Sequence, residues 1–253
     1  MSDDDGSVDG GNLFQEPTGY YKPEQEPTST TFALIDGRTV SLRLVGHSPL
    51  WGHLLWNAGQ VITSFLEDHA DEFIKDKSVL ELGAGAGLPS LAAAGLGAKT
   101  VVVTDYPDHD LIANLQYNIE NCGLDLSNTY ITAAGYLWGQ SPEALLSRLP
   151  ASTDHFDLII LADILFNHSE HQKLIQTLQQ TMGQTSSALV FFTPYRPWLL
   201  QKDLAFFELA RAGGFSVTKI MEHTMDKVMF EEDPGDEQLR RTVFGYRLAR
   251  PDP

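Results

Sequence analysis

The sequence predicts an α/β protein: a doubly wound, mostly parallel sheet with an antiparallel C-terminal hairpin, preceded by an N-terminal β-hairpin and helix. Three observations carry this expectation. Short strand patterns alternate with helical ones through most of the chain. Several strands, such as Val101-Val102-Val103 and Leu158-Ile159-Ile160-Leu161, are continuously apolar, as suits parallel strands covered on both faces. The last two strands have no helix between them.

Taken in order, residues 1–29 hold seven acids, one base and three prolines. Such a composition does not offset its ordering entropy, so a flexible tail is expected, with Leu13 and Phe14 as a docking point. Residues 30–253 are expected to form one domain. It opens with a hairpin, Thr31–Ile35 and Thr39–Leu44, turning at Asp36-Gly37. A helix over Leu54–His69 follows from Leu55, Ala58, Ile62, Phe65 and Leu66 at helical spacing. Strands are expected at Ser78–Leu82, Thr100–Thr104, Thr129–Ala133, Phe156–Ala162, Ala188–Thr193, Phe215–Met221 and Val243–Leu248. Between them lie helices at Leu88–Leu96, Asp108–Asn121, Glu170–Met182 and Trp198–Ala212. An acidic connection, Glu231–Glu237, joins the last two strands.

Composition narrows the partners. Thirty-four acids against 17 bases give a formal charge of -17, which repels phosphate backbones. A basic protein or a small molecule is the expected partner, not nucleic acid. One cysteine, Cys122, excludes an intramolecular disulfide and a thiolate-rich metal cluster, and suits a reducing compartment. The start of the chain has no apolar run, and no stretch approaches the roughly 18 apolar residues of a membrane-spanning helix. A cytoplasmic monomer without membrane contact is expected.

The most specific local signal is Glu81-Leu82-Gly83-Ala84-Gly85-Ala86-Gly87, where a strand ends and a helix opens. Glycines let backbone approach a ligand closely, and Asp105 ends the next strand where a carboxylate binds ribose hydroxyls. A dinucleotide fingerprint needs a small residue where Leu88 stands, and phosphate disfavours the nearby Glu81. No tyrosine is followed four places later by lysine, as short-chain dehydrogenases require. S-adenosyl-L-methionine, cationic and free of phosphate, suits the acid. A tight turn that binds nothing is the bland alternative.

Further segments extend the pattern: Ser48–Gly59 with Trp56, Thr104-Asp105-Tyr106-Pro107, Gly135-Tyr136-Leu137-Trp138-Gly139 and Asp163-Ile164-Leu165-Phe166. Together, from about Leu13 to the C-terminus, they resemble the family 16 seven-stranded methyltransferases, most closely the fungal branch acting on elongation factor 1-alpha. The resemblance implies a Rossmann-like methyltransferase sheet, S-adenosyl-L-methionine as cofactor and no metal. It further implies transfer to the N-terminal glycine amine and the adjacent lysine of elongation factor 1-alpha. Cofactor contacts carried over by position are Trp56, Gly83, Ala84, Gly85, Asp105, Trp138 and Ala162.

Asp163 and Phe166 are the catalytic candidates. A carboxylate can orient the acceptor amine and balance the charge that grows on it, and an aromatic face can do the same. Phe166 lacks the hydroxyl of related Asp-x-x-Tyr versions. Replacing Asp163 by asparagine is expected to leave fold and cofactor affinity intact. Asn167 or Ser169 is expected to cap the next helix, with His168 and His171 partly exposed. Tyr195 and Arg196 either line the acceptor channel or form a rigid turn. Two rivals remain at this point: a small-molecule N-methyltransferase for a nicotinamide-like amine, and an inactive nucleoside-binding scaffold.

Overall fold

In the computed structural model, β1 (Thr28–Ala33) and β2 (Thr39–Leu44) form an antiparallel hairpin ahead of everything else. The structure describes residues 26–46 and 52–251; Leu13, Phe14, Trp51 and nearly all of the acidic tail lie outside the described residues. Next come α1 (Asn57–Asp68), the single turn α2 (Ala70–Phe73), β3 (Ser78–Leu82), α3 (Leu88–Gly95), β4 (Thr100–Asp105) and α4 (His109–Asn121). They are followed by β5 (Tyr130–Gly135), the single turn α5 (Glu143–Leu146), β6 (Phe156–Ala162), α6 (His171–Thr181) and β7 (Met182–Phe192). The chain closes with α7 (Leu200–Ala212), β8 (Ser216–Thr224), the single turn α8 (Glu237–Arg240) and β9 (Thr242–Ala249).

Seven strands form one sheet in the order β5-β4-β3-β6-β7-β9-β8. Pairings are parallel from β5 through β7, and β9 runs antiparallel to both β7 and β8. The predicted α/β class, the mostly parallel sheet and the antiparallel end are therefore all present. The chain winds outward from β3 to β5 and then returns to β6 on the other side of β3. That reversal opens a crevice at the carboxyl ends of β3 and β6.

Period-two alternation divides the core into two layers. Leu80, Leu82, Ile159, Leu161, Val190 and Phe192 face one way, onto α6 and α7. Val79, Leu158, Ile160, Leu189 and Phe191 face the other, onto α1 and α3. Continuously apolar strands are thus required by burial on both sides.

Four departures from the sequence reading have local causes. β1 begins at Thr28, inside the expected tail, because Thr28 and Ser29 pair with Leu44 and Arg43. α1 begins after Trp56, not at Leu54; Trp56 holds an extended backbone at the helix start. β7 begins at Met182, because Ser186 bridges an irregular register by donating to the Phe156 carbonyl and accepting from Gly183 N. The single turns α2, α5 and α8 are too short to show a helical period.

The N-terminal hairpin is docked by polar contacts. Buried Asn118 of α4 accepts from Arg43 N and donates to the carbonyls of Arg43 and Ala86, so it ties β2 to the glycine loop. The Arg43 guanidinium lies 3.7 Å over the Tyr117 ring and bonds Asn114. Among the described residues no helix is long and apolar enough to cross a membrane. Asn118→Ala should leave Arg43 N and the Ala86 carbonyl unpaired, costing about 3 kcal/mol. Calorimetric melting should then fall by about 6–12 °C; a fall under about 2 °C would mean the hairpin is held by its apolar contacts instead.

Candidate active site

The crevice at the switch point holds a cavity of about 490 Å³. That volume suits a small-molecule ligand. Every residue expected to bind the cofactor lines it: Trp56, Gly83, Ala84 and Gly85 meet there with Asp105, Trp138 and Ala162. Asp163 and Phe166 lie on the same wall.

The glycine loop turns from β3 into α3 with Gly83 at φ 65° and Gly85 at φ 57°. A Cβ on Gly83 would sit 2.9 Å from Ile164 Cγ2 and 3.2 Å from Trp138 Cζ2, so glycine there lets the loop close onto the indole. A Cβ on Gly85 would meet nothing within 4 Å, because that residue borders the open cavity. Asp105 ends β4 beneath the loop. Gly85 N donates to its Oδ2 and Tyr106 N to its Oδ1, each at 2.7 Å. Each oxygen retains acceptor capacity for a ligand hydroxyl. Burial raises its pKa, and the two N–H donors oppose the rise.

Glu81 is 1% exposed and accepts from Ser90 N in the first turn of α3. Burial pushes its pKa up to about 8, against the pull of Ser90. Cavity, close backbone, a ribose-type acid and a second acid with no cationic side-chain partner among the described residues together fit a cationic nucleoside cofactor.

Asp163 follows β6 with φ 52°, a backbone conformation that side chains rarely adopt. It is 8% exposed, and its carboxylate is turned onto protein. Thr193 N donates to Oδ1 at 2.7 Å; Ala58 N, at the start of α1, donates to Oδ2 at 2.8 Å. The hydroxyls of Tyr195 and Thr193 also donate to Oδ2, at 3.1 and 3.5 Å. Burial raises the pKa to about 6, and these donors hold it from rising further. Asparagine is therefore not the neutral replacement expected from sequence. In either orientation its Nδ2 faces a backbone N–H, of Thr193 or of Ala58.

Tyr195 braces Asp163 and Trp56. Its hydroxyl accepts from Asn57 N at 3.3 Å, and its ring meets Trp56 edge-on at 5.1 Å. Burial, and then the Asp163 charge, push its pKa well above the ordinary tyrosine value. Phe230, just ahead of the acidic connection between β8 and β9, closes against both rings at 6.0 and 5.8 Å. Nothing local in the sequence marks Phe230. The Phe166 ring is 43% exposed at the cavity mouth.

The expected helix cap is not found. Ser169 Oγ donates to Asn167 Oδ1, and a one-turn 3-10 helix, His168–Glu170, leads into α6 without a side-chain cap. His171 is 2% exposed, not partly exposed, and its Nε2 donates to the Leu165 carbonyl. His168 is partly exposed, as expected, and pairs with Asp203.

The profile of the family described as "Lysine methyltransferase" matches residues 46–212. The chain belongs to that family. It is similar to the Aspergillus fumigatus "Protein N-terminal and lysine N-methyltransferase efm7", 47% identical over 98% of this chain and 97% of that protein. The Kluyveromyces lactis protein of the same name is 42% identical, over 96% and 97%. The fold matches the Thermus thermophilus 16S rRNA N2 G1207 methyltransferase in complex with AdoMet and guanosine, with TM-score 0.54 and 16% identity, over 90% of this chain and 51% of that one. This lysine methyltransferase family member is thus an N-methyltransferase enzyme, and S-adenosylmethionine is its methyl donor.

The buried acids give this family member an unusual pH response. The Glu81 pKa is raised on folding, so the stability it contributes is full below about 4.5 and is lost as pH rises through about 8. Asp163 behaves alike over a lower window, up to about 6. Between about pH 6 and 8 the loss should therefore come mainly from Glu81, at no more than about 1.4 kcal/mol per pH unit. Urea unfolding of Glu81→Gln should show a flatter dependence in that window; slopes equal to wild type would contradict the assignment.

Proposed function

We propose that this protein is an S-adenosylmethionine-dependent methyltransferase for the N-terminal glycine amine and the adjacent lysine of elongation factor 1-alpha. The observation that carries the reading is the placement of Asp163 and Phe166 on one wall of the cofactor-type cavity, with the Phe166 ring at its mouth. The names of the 42–47% identical relatives support the same substrate class. A chain of formal charge -17 suits a basic protein partner. The proposal extends to a monomeric, cytoplasmic enzyme in which the chain from Thr28 onward acts as one domain behind an acidic tail.

S-adenosylmethionine, when bound, supplies an electrophilic methyl group on a cationic sulfur. Asp105 would accept hydrogen bonds from the ribose hydroxyls, the Gly83–Gly85 backbone would admit the methionine end, and Trp138 would wall the adenine. Glu81, held largely protonated below about pH 8 by burial, would ionise against the methionine ammonium. The acceptor amine sheds a proton before its lone pair forms the new N–C bond. Transfer would leave the electron pair of the donor's C–S bond on sulfur and make nitrogen cationic again. Asp163, ionised above about pH 6, places negative potential under that nitrogen, and the Phe166 face adds a weaker attraction. Alignment and charge together supply the catalysis, and no metal is required of these residues.

The test is methyl transfer from labelled S-adenosylmethionine to a peptide beginning Gly-Lys and to a whole lysate. A labelled protein band and a labelled peptide are expected. A soluble small product instead would favour a nicotinamide-like acceptor, and no transfer at all would mean a nucleoside-binding scaffold. In parallel, Asp105→Ala should weaken S-adenosylmethionine at least about tenfold by calorimetry, since a charge-assisted hydrogen bond contributes about 1.5–3 kcal/mol. Unchanged affinity would remove Asp105 from the ribose site.

A further inference from the structure

The segment that carries Phe166 is held from its far side by groups that the proposed chemistry does not use. Arg196, in the loop after β7, donates from Nη2 to the Phe166 carbonyl at 2.7 Å. Two residues beyond Phe166, His168 Nε2 donates to Asp203 Oδ1 at 2.6 Å. Asp203 is in the first turn of α7 and is 6% exposed. A buried carboxylate is costly without a partner, so His168 is bound to that place. Burial raises the Asp203 pKa, and the charges of His168 and Arg196 oppose the rise. His171 closes the group, edge-on to His168 at 5.5 Å and bonded to the Leu165 carbonyl.

Behind Phe166 lies a second cavity of about 20 Å³, bordered by Asp163, Tyr195, Arg196 and Asp203. It has room for about one water. Leu165 is buried in the core, and beyond it, from Phe166, the segment leaves that apolar floor. Besides the buried Leu165 side chain, polar contacts hold it at the Leu165 carbonyl, the Phe166 carbonyl and the His168 ring.

We propose that His168, Asp203 and Arg196 form a clamp that positions Phe166 for the methyl acceptor. They are positioning residues, acting through the Phe166 ring, and their effect falls on the acceptor and not on the cofactor. The proposal rests on the acceptor role given to Phe166 above.

Four variants test it: His168→Leu, His168→Gln, Arg196→Met and Phe166→Ala. His168→Leu and Arg196→Met should raise the KM for a Gly-Lys peptide about fivefold to tenfold, while S-adenosylmethionine affinity stays within about twofold. Amide hydrogen exchange over residues 166–170 should quicken in both. His168→Gln, whose amide can still donate to Asp203, should restore most of the KM and the protection. Phe166→Ala combined with His168→Leu should cost little more than Phe166→Ala alone, because both act on one ring. Wild-type KM and wild-type exchange in His168→Leu would overturn the clamp, and so would equal loss of cofactor affinity, which marks general damage. If wild-type enzyme fails to methylate the peptide, the function reading fails by itself; the exchange comparison of His168→Leu with His168→Gln still decides the clamp.

Discussion

Four hydrogen bonds converge on the carboxylate of Asp163, and through them the two walls of the cavity are joined. One bond fixes the start of α1 and hence Trp56. The others fix Thr193 and Tyr195 after β7. The residue that gathers them sits at φ 52° and is almost wholly buried. A strained backbone and a buried charge each cost free energy, and both persist because the surroundings over-determine them. Tyr195 then braces Trp56 by ring contact, so the start of α1 and the loop after β7 are one construction.

The same device occurs twice. Glu81 from β3 meets the first turn of α3, and Asp163 just after β6 meets the first turn of α1. The positive end of a helix dipole favours a carboxylate there, which lets two acids remain buried beside a cavity. Both carboxyls are nevertheless held above their ordinary pKa by burial. Two such acids on neighbouring strands, able to ionise beside a bound cation, disfavour phosphate and suit sulfonium and ammonium groups. This electrostatic character separates the site from a dinucleotide pocket built on a similar glycine turn.

Legibility in the sequence followed the range of each interaction. The central strands Ser78–Leu82 and Phe156–Ala162 have the bounds read from their apolar runs, because burial on both faces leaves little choice of residue. The glycine turn and Asp105 were readable because strand, turn and acid lie close along the chain. Trp56 was read as part of a helix, since the side-chain period does not reveal where the backbone first becomes helical. The pairs Asp163 with Tyr195 and His168 with Asp203 join residues 32 and 35 positions apart, and no periodic pattern announces them. Asparagine looked harmless at position 163 for the same reason: the donors that need both oxygens come from elsewhere in the chain.

One measurement bears most directly on this account: unfolding free energy and S-adenosylmethionine affinity of Asp163→Asn, determined together. The amide leaves one backbone N–H facing another donor, so stability should fall by about 1–3 kcal/mol. Because α1 and Trp56 lose their tether, cofactor affinity should also weaken, by about fivefold for each kcal/mol of that loss expressed at the site. Wild-type stability and wild-type affinity, with methyl transfer alone impaired, would contradict the account and leave Asp163 as a charge beneath the amine and nothing more.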